Sequence, residues 1–308
     1  MLIAIDHGNI QIKLPSGKVF TSGLRESGTR PAFGEDFLQY KGKYYTISNE
    51  RTSYLRDKTE DERFYILTLF AIAFEIEARG CYEAGMMSVQ LLVGLPPAHF
   101  GAQYEKFEKY FKRGVIEEFE FHGKKFRIFV NEVTAFPQAF AATMPVYSHI
   151  STFPKVTVVD IGGFTADYLL LKNGQADLSV CDSLEHGVIL LYNQVAGRVN
   201  SDYNIRLDES DIDSILKGEA NSFGADSADI ISIANGSAET FVSDLLGKLR
   251  ERSIDLRTGK TLFVGGGSVL LRKQIEASGK VTSPIFVEKI TANAKGYEML
   301  YKASKAKG

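Results

Sequence analysis

Short apolar runs with strand spacing recur along this chain, several ended by glycine and two of them by aspartate as well, and longer stretches of helical spacing separate them. The clearest run is Val156 to Leu171, VTVVDIGGFTADYLLL. The β-branched segment Val156–Val159 predicts a buried strand. Asp160, Gly162, Gly163, Thr165 and Asp167 then predict a tight turn, and a second apolar strand follows. Ile3 to Leu14 repeats the design: a strand over Leu2–Ile5, the polar group Asp6, His7, Gly8 and Asn9, and an alternating strand over Ile10–Leu14. A third cluster, Gly265, Gly266, Gly267 and Ser268, stands between a strand over Thr261–Val264 and a helical pattern over Val269–Ile275.

Elsewhere the spacing predicts a helix over Thr59–Arg79. Thr59 and Glu62 form a capping box, Phe64, Leu67, Ala71, Phe74 and Ala78 lie on one face, and Gly80 is the stop signal. Short strands are expected at Lys18–Phe20, Phe37–Tyr40 and Tyr44–Ile47, with Gly42 turning the last pair, and another at Val89–Val93. A short helix over Gln103–Phe111 precedes a hairpin, Glu117–Phe121 and Lys125–Val130, around His122-Gly123. Pro137 suits the first position of a helix, which puts Gln138 in its first turn. In the second half, Ser183 is a candidate cap for a helix over Val188–Gly197. Gly224–Asp229 reads as a loop. Ile230–Arg252 reads as a long amphipathic helix with Ile233, Phe241, Leu245 and Leu249 inward. Pro284–Val287 is a strand, Thr291 opens a last helix, and the polar tail Lys302–Gly308 is expected to fray.

Glycines between strands let backbone approach a ligand closely and take positive φ. Amides in such a turn can cradle phosphate, and a nearby carboxylate can hold hydrated Mg²⁺. Each hairpin alone reads equally well as an ordinary glycine-rich turn. Neither the Rossmann spacing nor G-x-x-x-x-G-K-[ST] occurs. Asp208, Asp211 and Asp213 lack the glycine and terminal glutamate of a calcium loop and read as a solvated helix start. His99 has no second ligand at a useful spacing and reads as a helix-opening residue.

Composition narrows the classes. The chain has 308 residues, 44% of them hydrophobic, enough for two domains with their own cores. A formal net charge of −2 gives no broad footprint for nucleic acid, so any association with DNA is expected through a protein partner. Cys81 and Cys181 sit in unrelated contexts and are expected to be reduced. The longest apolar run, Tyr65–Phe74, is too short to span a bilayer. With a strand starting at the first residues, a signal peptide is not expected, and the expectation is a cytoplasmic protein without a membrane partner.

Taken in order, Asp-x-Gly near the start, Asp-x-Gly-Gly-x-Thr-x-Asp in the middle and the late Gly-Gly-Gly-Ser resemble the phosphate-1, phosphate-2 and adenosine motifs of the actin-like ATPase superfamily. Gly94-Leu95-Pro96 and Val133–Ala142 are similar to segments of ParM-type plasmid-segregation actins and their archaeal relatives. The resemblance implies an α/β fold of two duplicated, ribonuclease H-like domains around a nucleotide cleft. Domain I would be 1–153, with 15–58 as a small subdomain IB and 290–308 returning to it. Domain II would be 154–289, with about 198–250 as subdomain IIB. The resemblance further implies ATP, with GTP left open, and Mg²⁺ held by Asp6 and Asp160. Gly8, Asn9, Gly162, Gly163 and Thr165 would contact phosphates, Glu185 the ribose, and Gly265, Gly266, Gly267 and Ser268 the adenosine. Gln138 would position the attacking water; Glu132, a true carboxylate nearby, is the competitor. The implied function is an ATP-driven filament of head-to-tail subunits that moves plasmid DNA through a centromere-binding adaptor of the ParR type. A sugar- or acetate-type kinase, or a cytoskeletal actin with another cargo, is the alternative.

Overall fold

The computed structural model describes residues 1–32, 36–50, 53–219 and 223–306. Part of the expected subdomain IB (33–35 and 51–52), residues 220–222 of the expected subdomain IIB and the last two residues of the tail lie outside these. The chain divides into two units, Met1–Pro145 with Thr291–Gly308, and Val146–Ile290.

The first unit runs β1 (Leu2–Ala4), β2 (Asp6–His7), β3 (Gln11–Lys13), β4 (Val19–Thr21), β5 (Gly23–Ser27), β6 (Phe37–Tyr40), β7 (Lys43–Ser48), α1 (Arg63–Ala78), β8 (Met86–Leu95), α2 (Pro97–Phe111), β9 (Ile116–Phe121), β10 (Lys124–Pro137) and α3 (Phe140–Thr143). β1, β8 and β10 lie parallel, and antiparallel pairing continues through β9, β6, β7 and β5. β2, β3 and β4 form an antiparallel meander that prolongs β1. The core packs α1 and α2 on these strands, with Phe64, Phe70, Phe107, Phe121 and Phe126 fully buried.

The second unit runs α4 (Tyr147–Ile150), β11 (Lys155–Ile161), β12 (Ala166–Lys172), β13 (Gln175–Leu184), α5 (Val188–Tyr203), α6 (Glu209–Lys217), α7 (Ser227–Glu251), β14 (Lys260–Val264), α8 (Gly266–Leu270), α9 (Arg272–Ala277) and β15 (Pro284–Phe286). Its strand order is β13-β12-β11-β14-β15, antiparallel through β11 and parallel from β11 to β15. The first unit repeats that plan as β4-β3-β2/β1-β8-β10, so each unit carries one meander and a parallel run. Helix α10 (Ala292–Lys305) belongs to the first unit. No helix among the described residues is long and apolar enough to cross a membrane. Neither Cys81 nor Cys181 forms a disulfide.

Several expected boundaries move. The capping box at Thr59 does not form: Lys58–Glu60 is a separate 3₁₀ turn capped by Asp57, and α1 starts at Arg63 behind Glu62 without a side-chain cap. Its residues Phe64–Ile76 are buried on every side, while Ala78 is exposed. A helix enclosed all round carries no amphipathic stripe to mark its start. The expected loop 224–229 is a 3₁₀ turn, Gly224–Asp226, followed directly by α7. Ser183 lies in β13, paired with Asp167, and α5 begins behind Gly187 with no side-chain cap. α10 continues to Lys305, so most of the tail is helical.

Candidate functional site

In the first unit three parallel strands end side by side. Ala4 and Thr134 both align with Leu92, and Pro137 aligns with Leu95. β10 therefore stays extended through Pro137, and Gln138 is not in a helix. Its backbone N–H donates to Leu95 O at 2.8 Å, which completes the ladder that proline cannot extend. The carboxyl ends of parallel strands are where open α/β sheets place ligands.

Asp6 is 2% exposed there. Its Oδ1 accepts from Gln138 Nε2 at 2.8 Å and lies 3.5 Å from the Tyr297 hydroxyl, and its Oδ2 faces Lys13 Nζ at 3.6 Å. Gly94 makes this packing possible, because a Cβ there would lie 2.0 Å from the Tyr297 hydroxyl. The turn after Asp6 is held by Gly8 N–H on Asp6 O at 3.1 Å and by the Ser22 hydroxyl on Gly8 O at 2.6 Å. Gly8 is needed for close approach rather than for positive φ: a Cβ would meet Gln11 O at 2.5 Å. Asn9 Oδ1 accepts from Leu55 N–H at 3.3 Å, so its amide serves the chain first.

His7, between them, is fully buried. Its Nε2 is 2.8 Å from the Thr68 hydroxyl and its ring stacks on Phe111 at 4.9 Å. Burial, reinforced by the Lys58 cation, pushes the imidazole down to about 3, so it is neutral at physiological pH. Lys58 Nζ donates to His7 O.

Glu132 stands apart from this cluster. It is six residues before Gln138 on an extended strand, about 20 Å away. Its carboxylate accepts from Gln90 Nε2, which also reaches the Tyr301 hydroxyl. Gln138 and Glu132 cannot serve the same position.

The second unit builds its turn differently. The loop between β11 and β12 gives three successive carbonyls to α5: Gly162 O accepts from Val188, Gly163 O from Ile189 and Phe164 O from Gly187, at 2.9–3.1 Å. A trans peptide points its N–H opposite to its C=O. The amides of Gly163, Phe164 and Thr165 therefore face away from α5 together, as three neighbouring donors suited to an anion. Gly187 permits the docking, since a Cβ would lie 2.2 Å from Gly163 O. Thr165 Oγ1 donates to Asp167 Oδ2 at 3.2 Å. Glu185 is exposed between buried Leu184 and His186.

Asp160, 9% exposed, ends β11 beside β14. Gly265 has φ +86°, and a Cβ there would lie 2.2 Å from Asp160 Oδ1. Gly266 and Gly267 fall inside α8 rather than in a loop before it. Gly267 is enclosed by Ile161 and Val188, whereas Gly266 is exposed with nothing near its missing side chain. Ser268 is fully buried and its hydroxyl donates to Val264 O at 2.5 Å, so it serves the helix and turns away from solvent.

Among the described residues no three His, Cys, Asp or Glu side chains gather as a metal-binding group. Hydrated Mg²⁺ beside phosphates needs only one or two carboxylates, and each unit carries one of that type, Asp6 in the first and Asp160 in the second. The reading from sequence missed Lys13, Gly187, Asn293 and Tyr297. Lys13 was visible as a cation one strand after Asp6. The other three become legible only once folding brings distant segments together.

Residues 4–140 match the family model for the N-terminal domain of actin-like proteins, and residues 158–277 match the model for the C-terminal domain of the MreB-like archaeal actin homologue. A comparison with curated proteins by sequence gives no match. Among solved structures, the ADP complex of the archaeal actin homologue Ta0583 aligns over 98% of this chain and 99% of its own, with TM-score 0.74 and 15% identity. A subunit of a 15-stranded ParM filament from Clostridium botulinum aligns over the same shares with TM-score 0.74 and 17% identity. Bacillus thuringiensis ParM with ATP aligns over 99% of each chain with TM-score 0.69 and 13% identity. At such identities these likenesses concern the fold, while the two family models between them take in most of the sequence; the chain belongs to the actin-like proteins.

Proposed function

We propose that this protein is an ATPase that assembles into head-to-tail filaments and disassembles after hydrolysis, with plasmid DNA segregation through a centromere-binding adaptor as its cellular task. The observation that carries the ATPase reading is the buried Asp6–Gln138 contact, at 2.8 Å, beside a glycine turn and the Lys13 cation. Gln138 has an amide to orient a water molecule, while a neutral amide is a poor proton acceptor, so hydrolysis is expected to be slow. Lys13 would offset phosphate charge. The amides of Gly163, Phe164 and Thr165 would grip phosphate, and the open face at Gly266 would admit the adenosine. Mg²⁺ would be held through water by Asp6 and Asp160, supplying charge neutralisation to the phosphates. The filament reading is supported by the ParM filament among the structures of similar fold. Open-ended, heterologous contacts build such polymers.

Light scattering and pelleting after addition of ATP with Mg²⁺ test it. Growth followed by decay is expected, with decay abolished by Gln138→Ala, which should still polymerise, and hydrolysis abolished by Asp160→Ala. A chain that stays monomeric with ATP, or a Gln138→Ala variant that hydrolyses ATP at the wild-type rate, contradicts the assignment.

A further inference from the structure

The turn that follows Gln138 is strained, and its restraint comes from the far end of the chain. Ala139 has φ +58° and ψ −52°, and Phe140 N–H donates to Gln138 O at 2.5 Å. That is a three-residue γ-turn of the positive-φ kind, which is rare and costly for a residue with a Cβ. Ala139 N–H donates to Asn293 Oδ1 at 3.0 Å, across a separation of 154 residues. Both partners are buried: Asn293 is 9% exposed and Ala139 fully enclosed. Asn293 sits in the first turn of α10, which is pressed against the same segment. A Cβ on Gly296 would lie 1.8 Å from Ala141 O, and one turn of helix beyond Asn293 the Tyr297 side chain reaches Asp6.

We infer that Asn293 is a positioning residue for Gln138: by accepting the Ala139 amide it holds the strained turn that aims the Gln138 side chain at Asp6. This rests on the proposed role of Gln138 in hydrolysis and adds α10 as the element that sets it. Without the Asn293 acceptor, the buried amide loses its partner and the turn relaxes toward ordinary φ. Gln138 then leaves its contact with Asp6, while the glycine turns that would bind nucleotide stay in place. The strain also supplies a second, independent handle. Glycine adopts positive φ at little cost, so Ala139→Gly lowers the strain that the clasp has to hold.

The experiment measures single-turnover phosphate release, ATP affinity and amide hydrogen exchange on the full chain. Asn293→Ala should slow hydrolysis about tenfold, the effect of losing one hydrogen bond's worth of positioning. ATP affinity should change less than about threefold, and exchange at Ala139 should accelerate. Adding Ala139→Gly should restore part of the lost rate, which a general loss of stability would not allow. Asn293→Ala hydrolysing within about twofold of wild type, while wild type is active, overturns this inference alone. A parallel loss of affinity, or no recovery with Ala139→Gly, also overturns it. A wild-type chain that binds ATP and never releases phosphate removes the reading of Gln138, and this inference with it.

Discussion

At the scale of single residues, the three glycines after β14 separate by what each would touch. Gly265 is locked by positive φ and by the Asp160 carboxylate, and Gly267 by Ile161 and Val188, so protein packing accounts for both. Packing does not account for Gly266. Gly266→Leu should leave the melting temperature within about 3 °C of wild type and weaken ATP binding at least tenfold, whereas Gly265→Ala should destabilise by about 2 kcal/mol or more. Calorimetry with parallel ATP titration distinguishes the two. His7 yields a pH prediction. Its folded pKa is depressed to about 3 from 6.5, chiefly by burial, so the unfolded chain takes up a proton that the folded chain refuses. The stability tied to neutral His7 is full above the unfolded pKa and falls as pH drops below 6.5, at up to about 1.4 kcal/mol per pH unit. Denaturant unfolding at pH 7 and pH 5 should show that loss in wild type and a smaller one in His7→Asn. An equal loss in both contradicts the buried, neutral imidazole. The glycines and acids of these turns were legible because few residue types tolerate such geometry. The Ser268 hydroxyl is spent on Val264 O at the end of β14, a contact the sequence does not distinguish from one with a ligand.

Elements decide which of those residues can act together. The parallel register of β1, β8 and β10 brings Asp6 beside Gln138 although 132 positions separate them. The spacing around Pro137 suggested a helix, since proline favours both a first helical position and a strand end. The ladder to β8 decides for the strand, because it pairs every residue through Leu95. The same extension carries Glu132 away from the turn, a distance that cannot be read before the strand is known. In the second unit the loop and α5 form one piece. Gly187→Ala should push the Gly163 carbonyl aside, cost about 1–3 kcal/mol in unfolding free energy and weaken phosphate binding together with it. Unchanged stability on denaturant titration would mean that the loop carbonyls do not depend on this contact. The capping box expected at Thr59 failed for a related reason: its residues support a short 3₁₀ turn, and tertiary burial starts α1 later.

Across the whole molecule, the repeat of a hairpin with Asp and Gly was the most informative feature of the sequence. It marks two units with the same meander and parallel run, each with an aspartate and glycine at the first turn of its meander. The helix that returns to the first unit was visible as an element, but its hold on the Gln138 turn was not, because a single Asn carries no pattern. Every role proposed for these residues depends on the glycine turns being nucleotide-binding turns. Isothermal titration of the full chain with ATP and Mg²⁺ tests this most directly. One saturable site per chain is expected, lost in Asp160→Ala and weakened in Gly266→Leu. No binding of any adenine nucleotide by the folded wild-type chain, or equal binding by all three proteins, would contradict it.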